Sequence, residues 1–282
     1  MDAEQVTGPV AYHAEGPVWS NGLRFVDMFA GDVLTVSPDG EVARRNISTF
    51  VGAMRPRETG GFIYAVERGF ACDVGDRSDV EEMGGHLWDT PEVRMNEGAC
   101  SPDGAFFAGS MSRDQRTPAG TLYRFDGSSV EAVLTGVTVS NGIDWSPDGL
   151  LAYYADSATG RVDVFDSLPS SPWLAERRVF AVPAANGASK PDGLTVDSEG
   201  GVWVALYGGS AVHRYDPSGE LTEVVEIPVR LVTSCCFGGE DLSDLYITTS
   251  RENLAPDEQP DAGSIFLARP DVRGLPVRPF AG

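Results

Sequence analysis

Residues 140–157, SNGIDWSPDGLLAYYADS, combine a tight turn with a strand and place an amide in front of both. Trp145–Gly149 has the Ser, Pro, Asp and Gly composition of a turn. Leu150–Ala155 is apolar and aromatic, which is typical of a strand. Asn141 precedes them, between a serine and a glycine. A turn accepts an asparagine there, and a metal site uses one as a ligand, so other parts of the sequence must decide its role.

The same alternation of short strands and turns recurs along the chain. The turn SPDG occurs at 37, 101 and 146, with the variants DSEG at 197 and DPSG at 216. Asp-Gly between apolar runs is a strong hairpin signal, because glycine adopts positive φ without steric cost. No long segment keeps a 3.6-residue apolar period, whereas short runs such as GLRFVDMF, GFIYAVE and LLAYYAD are typical of strands. The sequence therefore predicts an all-β protein.

A longer phrase, a strand followed by D-x-x-x-G-x-V and another strand, also repeats. It occurs at 155–166 and, more loosely, at 205–216 and 111–126. Repeated sheet units indicate a radial array. Six units would divide the 282 residues into about 47 each, which suits four-stranded blades. We predict one six-bladed β-propeller domain over residues 1–282, with antiparallel blades around a central channel. A β-sandwich would explain the short strands but not the repeated phrases.

The composition excludes several classes of partner. The chain has 42 acidic and 21 basic residues, a net charge of −21. Without a basic stripe it is not expected to bind nucleic acid or an anionic membrane. The N-terminal residues lack the basic and apolar regions of a signal peptide, and no run approaches the ~18 apolar residues of a membrane span. We expect a cytoplasmic protein whose four cysteines, including Cys235 and Cys236, are buried thiols without a CxxC pair.

Four phrases place an acid or an amide beside a glycine at equivalent points of different repeats. The residues are Glu15, Asn96, Asn141 and Asp192, and the phrases are AEGPVWS (14–20), RMNEGACSPDG (94–104), VSNGIDWSPDG (139–149) and KPDGLTVDSEG (190–200). Equivalent points of a propeller converge on its axis, so these side chains are predicted to face one another at one mouth of the channel. Each could instead cap a turn.

Converging carboxylate and amide oxygens without cysteine are the ligands that a hard cation prefers. The three histidines, His13, His86 and His213, lie outside the four phrases, which argues against a histidine zinc site. The G-x-S-x-G motif of serine hydrolases is absent. The residues thus predict a site for a hard cation, and they do not choose among calcium, zinc, manganese and magnesium.

These phrases resemble the SMP-30/gluconolactonase (regucalcin-like) family over nearly the whole chain. The resemblance is carried by EGPVW (15–19), R-x-N-[DE]-G (94–98), SNGIDWSPDG (140–149), PDGLTVDSEGGVWVALYGG (191–209) and TSCCFGG (233–239). It implies a six-bladed propeller with one divalent metal held by Glu15, Asn141 and Asp192. It also implies that Arg94, Asn96 and Asp114 contact substrate. Glu97 replaces the aspartate of many relatives, which bears on the shape of the pocket.

The resemblance implies hydrolysis of a small-molecule lactone. The hypothesis is that the metal polarises the carbonyl and that Asp192 is the general base for water. A non-catalytic calcium- or ligand-binding propeller, an organophosphate or other ester hydrolase, and a protein-interaction propeller are the alternatives. The loops 75–93 and 112–119 are predicted to set specificity. The sequence leaves the lactone, the physiological metal and the oligomeric state open.

Overall fold

The computed structural model describes residues 1–37, 39–74, 79–183, 189–255 and 257–282. Strands in these ranges form six four-stranded antiparallel sheets. The first strand of each sheet contacts the first strands of the two neighbouring sheets, and the last sheet contacts the first. The six first strands therefore enclose a central channel, and the predicted all-β six-bladed propeller is confirmed.

The blades follow one another along the chain, each running from an inner strand to an outer one. Blade 1 contains β2 Ala14–Trp19, β3 Leu23–Asp27, β4 Asp32–Val36 and β5 Val42–Asn46; blade 2 contains β6 Val51–Pro56, β7 Phe62–Val66, β8 Gly69–Val74 and β9 Asp79–Met83; blade 3 contains β10 Val93–Cys100, β11 Phe106–Ser112, β12 Gly120–Phe125 and β13 Val130–Val137. Blade 4 contains β14 Ser140–Trp145, β15 Leu151–Asp156, β16 Arg161–Ser167 and β17 Leu174–Ala181; blade 5 contains β18 Lys190–Val196, β19 Val202–Tyr207, β20 Ala211–Tyr215 and β21 Leu221–Glu226; blade 6 contains β22 Val232–Gly238, β23 Asp244–Thr249, β24 Ile265–Ala268 and β1 Glu4–Gln5.

Blade 6 closes the ring by joining the two ends of the chain. Its outer strand is the N-terminal β1, which pairs with β24 through Glu4 opposite Leu267. At the channel, the Thr233 hydroxyl donates a 2.6 Å hydrogen bond to the Ala14 carbonyl of blade 1. The N-terminal strand thus completes blade 6, and the Thr233 hydrogen bond connects the inner strands of blades 6 and 1, which closes the ring.

Apolar side chains fill the spaces between blades. Six buried clusters lie one at each blade-to-blade interface, as in the cluster of Trp203 and Val212 from blade 5 with Phe237 and Leu245 from blade 6. The four cysteines are buried free thiols, as predicted. Cys235 faces the interface with blade 5 and Cys236 faces blade 1, because successive residues of a strand point to opposite faces.

The segment 75–93 is not entirely loop. Asp79–Met83 is the outer strand of blade 2, paired with β8, whereas 75–78 lie outside the described residues. An outer strand is largely solvated, so it needs no alternation of apolar residues. The polar sequence of this strand therefore gave no strand signal.

Two 3₁₀-helices, Met28–Ala30 and Ser157–Thr159, connect middle strands at the end of the propeller where the inner strands begin. The Asp156 side chain accepts a hydrogen bond from Ala158 N, and Gly160 ends the second helix at φ 70°. In the part of the chain that the structure describes, no helix has the length and apolar character needed to cross a membrane.

Candidate functional site

Every inner strand has a register irregularity near its start. The shifts lie between Glu15 and Val18 in β2, between Met95 and Gly98 in β10, between Ser140 and Ile143 in β14, and between Pro191 and Leu194 in β18. β6 and β22 have the same feature. A bulge bends a strand and re-aims its side chains. The repeated phrases therefore encode bulges that turn side chains toward the channel.

Glycine in these bulges permits the inner strands to approach closely. A β-carbon on Gly142 would lie 2.5 Å from Leu194 N and 2.9 Å from the Asp192 carbonyl oxygen. One on Gly52 would lie 2.2 Å from the Asn96 carbonyl oxygen. All three distances are too short for a β-carbon, so glycine at these positions permits neighbouring inner strands to lie close together around the site.

The bulges surround a cavity of about 410 Å³ at one mouth of the channel. Five of the six predicted site residues line it: Glu15, Arg94, Asn96, Asn141 and Asp192. All five are buried. The structure therefore brings together side chains that are up to 177 positions apart in the sequence, from Glu15 to Asp192.

Two oxygens of residues that line this cavity, Asn141 Oδ1 and Asp192 Oδ1, are fully buried and have no hydrogen-bond partner among the described residues. The Asn141 amide nitrogen is used, since it donates to Ser157 Oγ at 2.9 Å. Leaving such oxygens unpaired costs free energy unless a ligand satisfies them. The Glu15 carboxylate lines the same cavity and accepts a hydrogen bond only from Gly16 N at 3.2 Å among the described groups.

The two carboxylates are also electrostatically unfavourable as a pair. Burial raises the pKa of Glu15 to about 8, although the hydrogen bond from Gly16 N acts to lower it. Burial, and then the charge of Glu15, raises the pKa of Asp192 well above its usual value. A divalent cation would relieve the repulsion and occupy the free oxygens. Two carboxylates and one amide oxygen thus fit a hard cation, although no group of three His, Cys, Asp or Glu side chains forms a metal site among the described residues.

Arg94 and Asn96 form one wall. Arg94 Nη1 donates to Asn96 Oδ1 at 2.6 Å and to the Met95 carbonyl at 2.9 Å. Asn96 Nδ2 donates to the Ser140 carbonyl at 2.6 Å, which links blades 3 and 4. The Asn96 side chain is thereby held in place, and its oxygen is already an acceptor for Arg94.

The Arg94 guanidinium lies over the rings of Phe29 and Phe50, with Cζ 5.6 Å and 5.0 Å from their centroids. Burial, and then the charge of Arg113, lowers its pKa to about 10. No described carboxylate lies within ion-pair distance of it. Its remaining donors are available to a ligand in the cavity.

Asp114 is not brought to the cavity. It lies in an exposed turn, where its carboxylate accepts hydrogen bonds from Arg116 N at 2.8 Å and from Thr117 N at 2.9 Å. Gln115, the next residue, lines the cavity instead. The predicted contact between Asp114 and substrate stays a prediction, while the position of Gln115 shows that the 112–119 loop borders the site.

Glu97 faces the opposite side of its strand from Asn96. It lines a separate cavity of about 70 Å³ further along the channel, where Ser234 Oγ donates to its Oε1 at 3.0 Å. Glu97 is therefore not among the residues that line the candidate cavity, but its charge adds to burial and to the charge of Glu15 in raising the pKa of Asp192.

Several lining residues were not found from the sequence. His13 Nε2 lies 3.7 Å from Glu15 Oε1, and its Nδ1 lies 2.8 Å from Ser250 Oγ. Burial lowers the pKa of His13 to about 4, so the ring is neutral. Its place two residues before Glu15 could have revealed it, because residues i and i+2 share a face of a strand. Tyr207, Glu252 and Lys190 also line the cavity. Lys190 and Tyr207 lie within phrases quoted above but were not singled out, and Glu252 lies outside all of those phrases.

Comparisons with known proteins agree with this architecture. Residues 13–251 match the model of the SMP-30/gluconolactonase/LRE-like region. Regucalcin of Sus scrofa is 36% identical over 95% of this chain and 94% of its own length. A solved luciferin-regenerating enzyme is 25% identical with a TM-score of 0.90, covering 99% of both chains.

A structure described as a calcium-binding protein, regucalcin, from Agrobacterium tumefaciens has a TM-score of 0.91 at 23% identity, covering 100% of this chain and 99% of its own, which shows a shared fold. The match of the family model to most of the chain and the identity with porcine regucalcin establish the relationship. The chain belongs to the SMP-30/gluconolactonase/LRE-like family.

Proposed function

We propose that this protein is a divalent-metal-dependent lactone hydrolase whose metal is held by Glu15, Asn141 and Asp192. The observation that carries the proposal is a pair of buried oxygens, Asn141 Oδ1 and Asp192 Oδ1, to which no described group donates a hydrogen bond. Their residues line a cavity that has a buried arginine in its wall. The family description, which names gluconolactonase, supports the same reaction class.

A bound divalent cation would polarise the lactone carbonyl, lower the pKa of water and keep the neighbouring carboxylates ionised. Asp192 is the proposed general base. Its carboxylate would accept a proton from a water molecule in the cavity while the water oxygen bonds to the carbonyl carbon. The bond between the carbonyl carbon and the ring oxygen would then break, the ring oxygen would take up the proton that Asp192 accepted, and the hydroxy acid would leave with Asp192 ionised again.

Arg94 and Asn96 would orient the substrate. The Asn96 side chain and the two aromatic rings fix the guanidinium, so its free N–H groups point in a constant direction. Donors placed in advance lose little entropy when the substrate binds and lower the barrier by holding it in reacting geometry. The wall is suited to the ring oxygen and hydroxyls of a sugar lactone.

The test is acid release from D-glucono-1,5-lactone and several 1,4-lactones, followed with a pH indicator. EDTA-treated protein should be inactive, and single divalent metals should restore turnover. Asp192→Asn should abolish hydrolysis in a folded protein with unchanged circular dichroism.

The calcium-binding description of the Agrobacterium relative favours one alternative, a propeller that binds calcium without catalysis. Tight calcium binding with no turnover of any lactone, under any metal, would support that alternative and overturn the lactonase proposal. Faster turnover of phosphotriesters or open-chain esters than of lactones would reassign the site to another hydrolase class.

A further inference from the structure

Lys190 is the only lysine in a chain with 21 basic residues, and it lines the candidate cavity. It is the first residue of β18, where its ladder partner is Tyr207. Tyr207 forms a bridge on its other side with Leu231, the residue after Arg230. Adjacent strands are about 4.8 Å apart, so the backbones of Lys190 and Arg230 lie about two strand spacings apart on the same rim.

The charges of the cavity are unlike those of the rest of the protein. The described residues that line it include the carboxylates of Glu15, Asp192 and Glu252 and the cations of Arg94, Lys190 and Arg230. A divalent cation would neutralise the first two carboxylates. Three cations would then face one carboxylate, in a protein with a net charge of −21. Such a local excess of positive charge attracts and holds an anion.

Neither rim cation is engaged by a strong structural partner. Among the described residues no carboxylate forms an ion pair with Lys190, whose side chain is exposed. Arg230 pairs with Glu258 at 3.2 Å, but both side chains are more than two-fifths exposed. An exposed ion pair contributes little to stability and is readily exchanged for another anion. The remaining carboxylate, Glu252, is turned toward Tyr207 OH at 3.1 Å and toward the His13 ring.

Resting on the lactonase function proposed above, we propose that Lys190 and Arg230 bind an anionic substituent of the substrate, a carboxylate or a phosphate remote from the lactone carbonyl. The preferred substrates are then lactones of sugar acids that keep a second acidic group, and neutral aldonolactones are poorer substrates. Arg94 remains the contact for the ring, since its side chain is buried on the inner strand of blade 3, whereas Lys190 is exposed at the rim.

The test compares kcat/KM for a neutral lactone, D-glucono-1,5-lactone, with a carboxylate-bearing one, D-glucaro-1,4-lactone, and a phosphate-bearing one, 6-phospho-D-glucono-1,5-lactone. We expect at least one anionic lactone to be favoured. In Lys190→Gln the ratio of anionic to neutral kcat/KM should fall roughly tenfold, the size expected for one charge-assisted hydrogen bond. Lys190→Arg should keep most of the ratio. Arg178→Gln removes the same charge from an exposed pair outside the cavity and should not change the ratio.

A binding measurement separates this inference from the hydrolase proposal. In titration calorimetry with calcium-loaded protein, D-glucarate should bind more tightly than D-gluconate, and Lys190→Gln should remove the difference. Equal or better turnover of neutral lactones, or a preference that survives in both Lys190→Gln and Arg230→Gln, would overturn the inference and leave the lactonase intact. If no lactone is hydrolysed, the hydrolase proposal fails. The affinities for D-glucarate and D-gluconate then decide alone whether Lys190 and Arg230 bind an additional anionic group.

Discussion

Asn141 Nδ2 donates a 2.9 Å hydrogen bond to Ser157 Oγ, and this single contact fixes which end of the amide faces the cavity. Ser157 in turn donates to the Pro191 carbonyl at 2.6 Å, next to Asp192. One hydroxyl therefore orients the amide that we propose as a ligand from blade 4, and it contacts the strand that carries the carboxylate of blade 5. Partners of this kind tune a metal site nearly as strongly as the ligands themselves.

Ser157→Ala should weaken calcium binding by roughly 10-fold or more, because the amide loses the partner that directs its oxygen inward. Titration calorimetry of EDTA-stripped protein measures the change. Ser243→Ala removes a surface hydroxyl that contacts Asp241 and is the matched control. An unchanged calcium affinity in a folded Ser157→Ala protein would show that Asn141 is not a ligand or that Ser157 does not orient it.

Calcium should stabilise the protein more at pH 8 than at pH 5.5. In the metal-free folded protein the pKa of Glu15 is raised to about 8, above that of the unfolded chain. Its contribution to the free energy of unfolding is full below the unfolded pKa near 4.5 and is lost as pH rises through about 8. The free energy of unfolding of the metal-free protein is therefore lower at pH 8, which is also where the ionised carboxylates bind calcium best.

The measurement is the difference in Tm between calcium-loaded and EDTA-treated protein at the two pH values. His13, whose pKa is lowered to about 4, is neutral in both forms of the folded protein at these pH values, so its contribution cancels in the difference. Glu15→Gln should reduce the pH dependence without abolishing it, because burial also raises the pKa of Asp192. A calcium effect that is larger at pH 5.5 would contradict the assignment of Glu15.

Arg94→Lys should lower kcat/KM for the best lactone by roughly 100-fold, the size of two lost charge-assisted hydrogen bonds. A lysine ammonium cannot reproduce the planar fork that lies over the rings of Phe29 and Phe50 and donates a hydrogen bond to Asn96. Calcium affinity should change much less, because Arg94 holds no ligand oxygen. Steady-state kinetics and calorimetry on one preparation test both statements. Loss of calcium binding with intact catalysis would reverse the assigned roles.

Asp114→Ala should change kcat/KM by less than about twofold if the carboxylate only accepts hydrogen bonds from the backbone of its own turn, since exposed turn contacts have small effects. Gln115→Asn should raise KM more, because it shortens the side chain that lines the cavity. Asparagine tolerates the positive φ of 55° at this position. A large loss of activity in Asp114→Ala alone would restore Asp114 as a substrate contact.

The fold was accessible from the sequence because its determinants are local and repeated. A four-stranded unit is specified by Asp-Gly turns, alternating strands and a recurring phrase. Six such units in succession predict a closed ring of blades. The same repetition placed Glu15, Asn141 and Asp192 at equivalent points, so their convergence followed from symmetry. The outer strand Asp79–Met83 escaped prediction because a solvated edge imposes no apolar pattern.

The finer construction of the site depends on contacts between blades, which no local pattern records. Ser157 reaches Asn141 and Pro191 only when blades 4 and 5 pack, and Lys190 shares a rim with Arg230 only through Tyr207. The turn around Asp114 is held by local contacts instead, since its carboxylate accepts hydrogen bonds from the backbone of Arg116 and Thr117. Gln115, rather than Asp114, lines the cavity. The sequence by itself determined the propeller and the oxygen-rich residues at its axis. Tertiary packing decided which atoms of those residues are free to bind, because hydrogen bonds between distant strands consume some donors and acceptors and leave others exposed to the cavity.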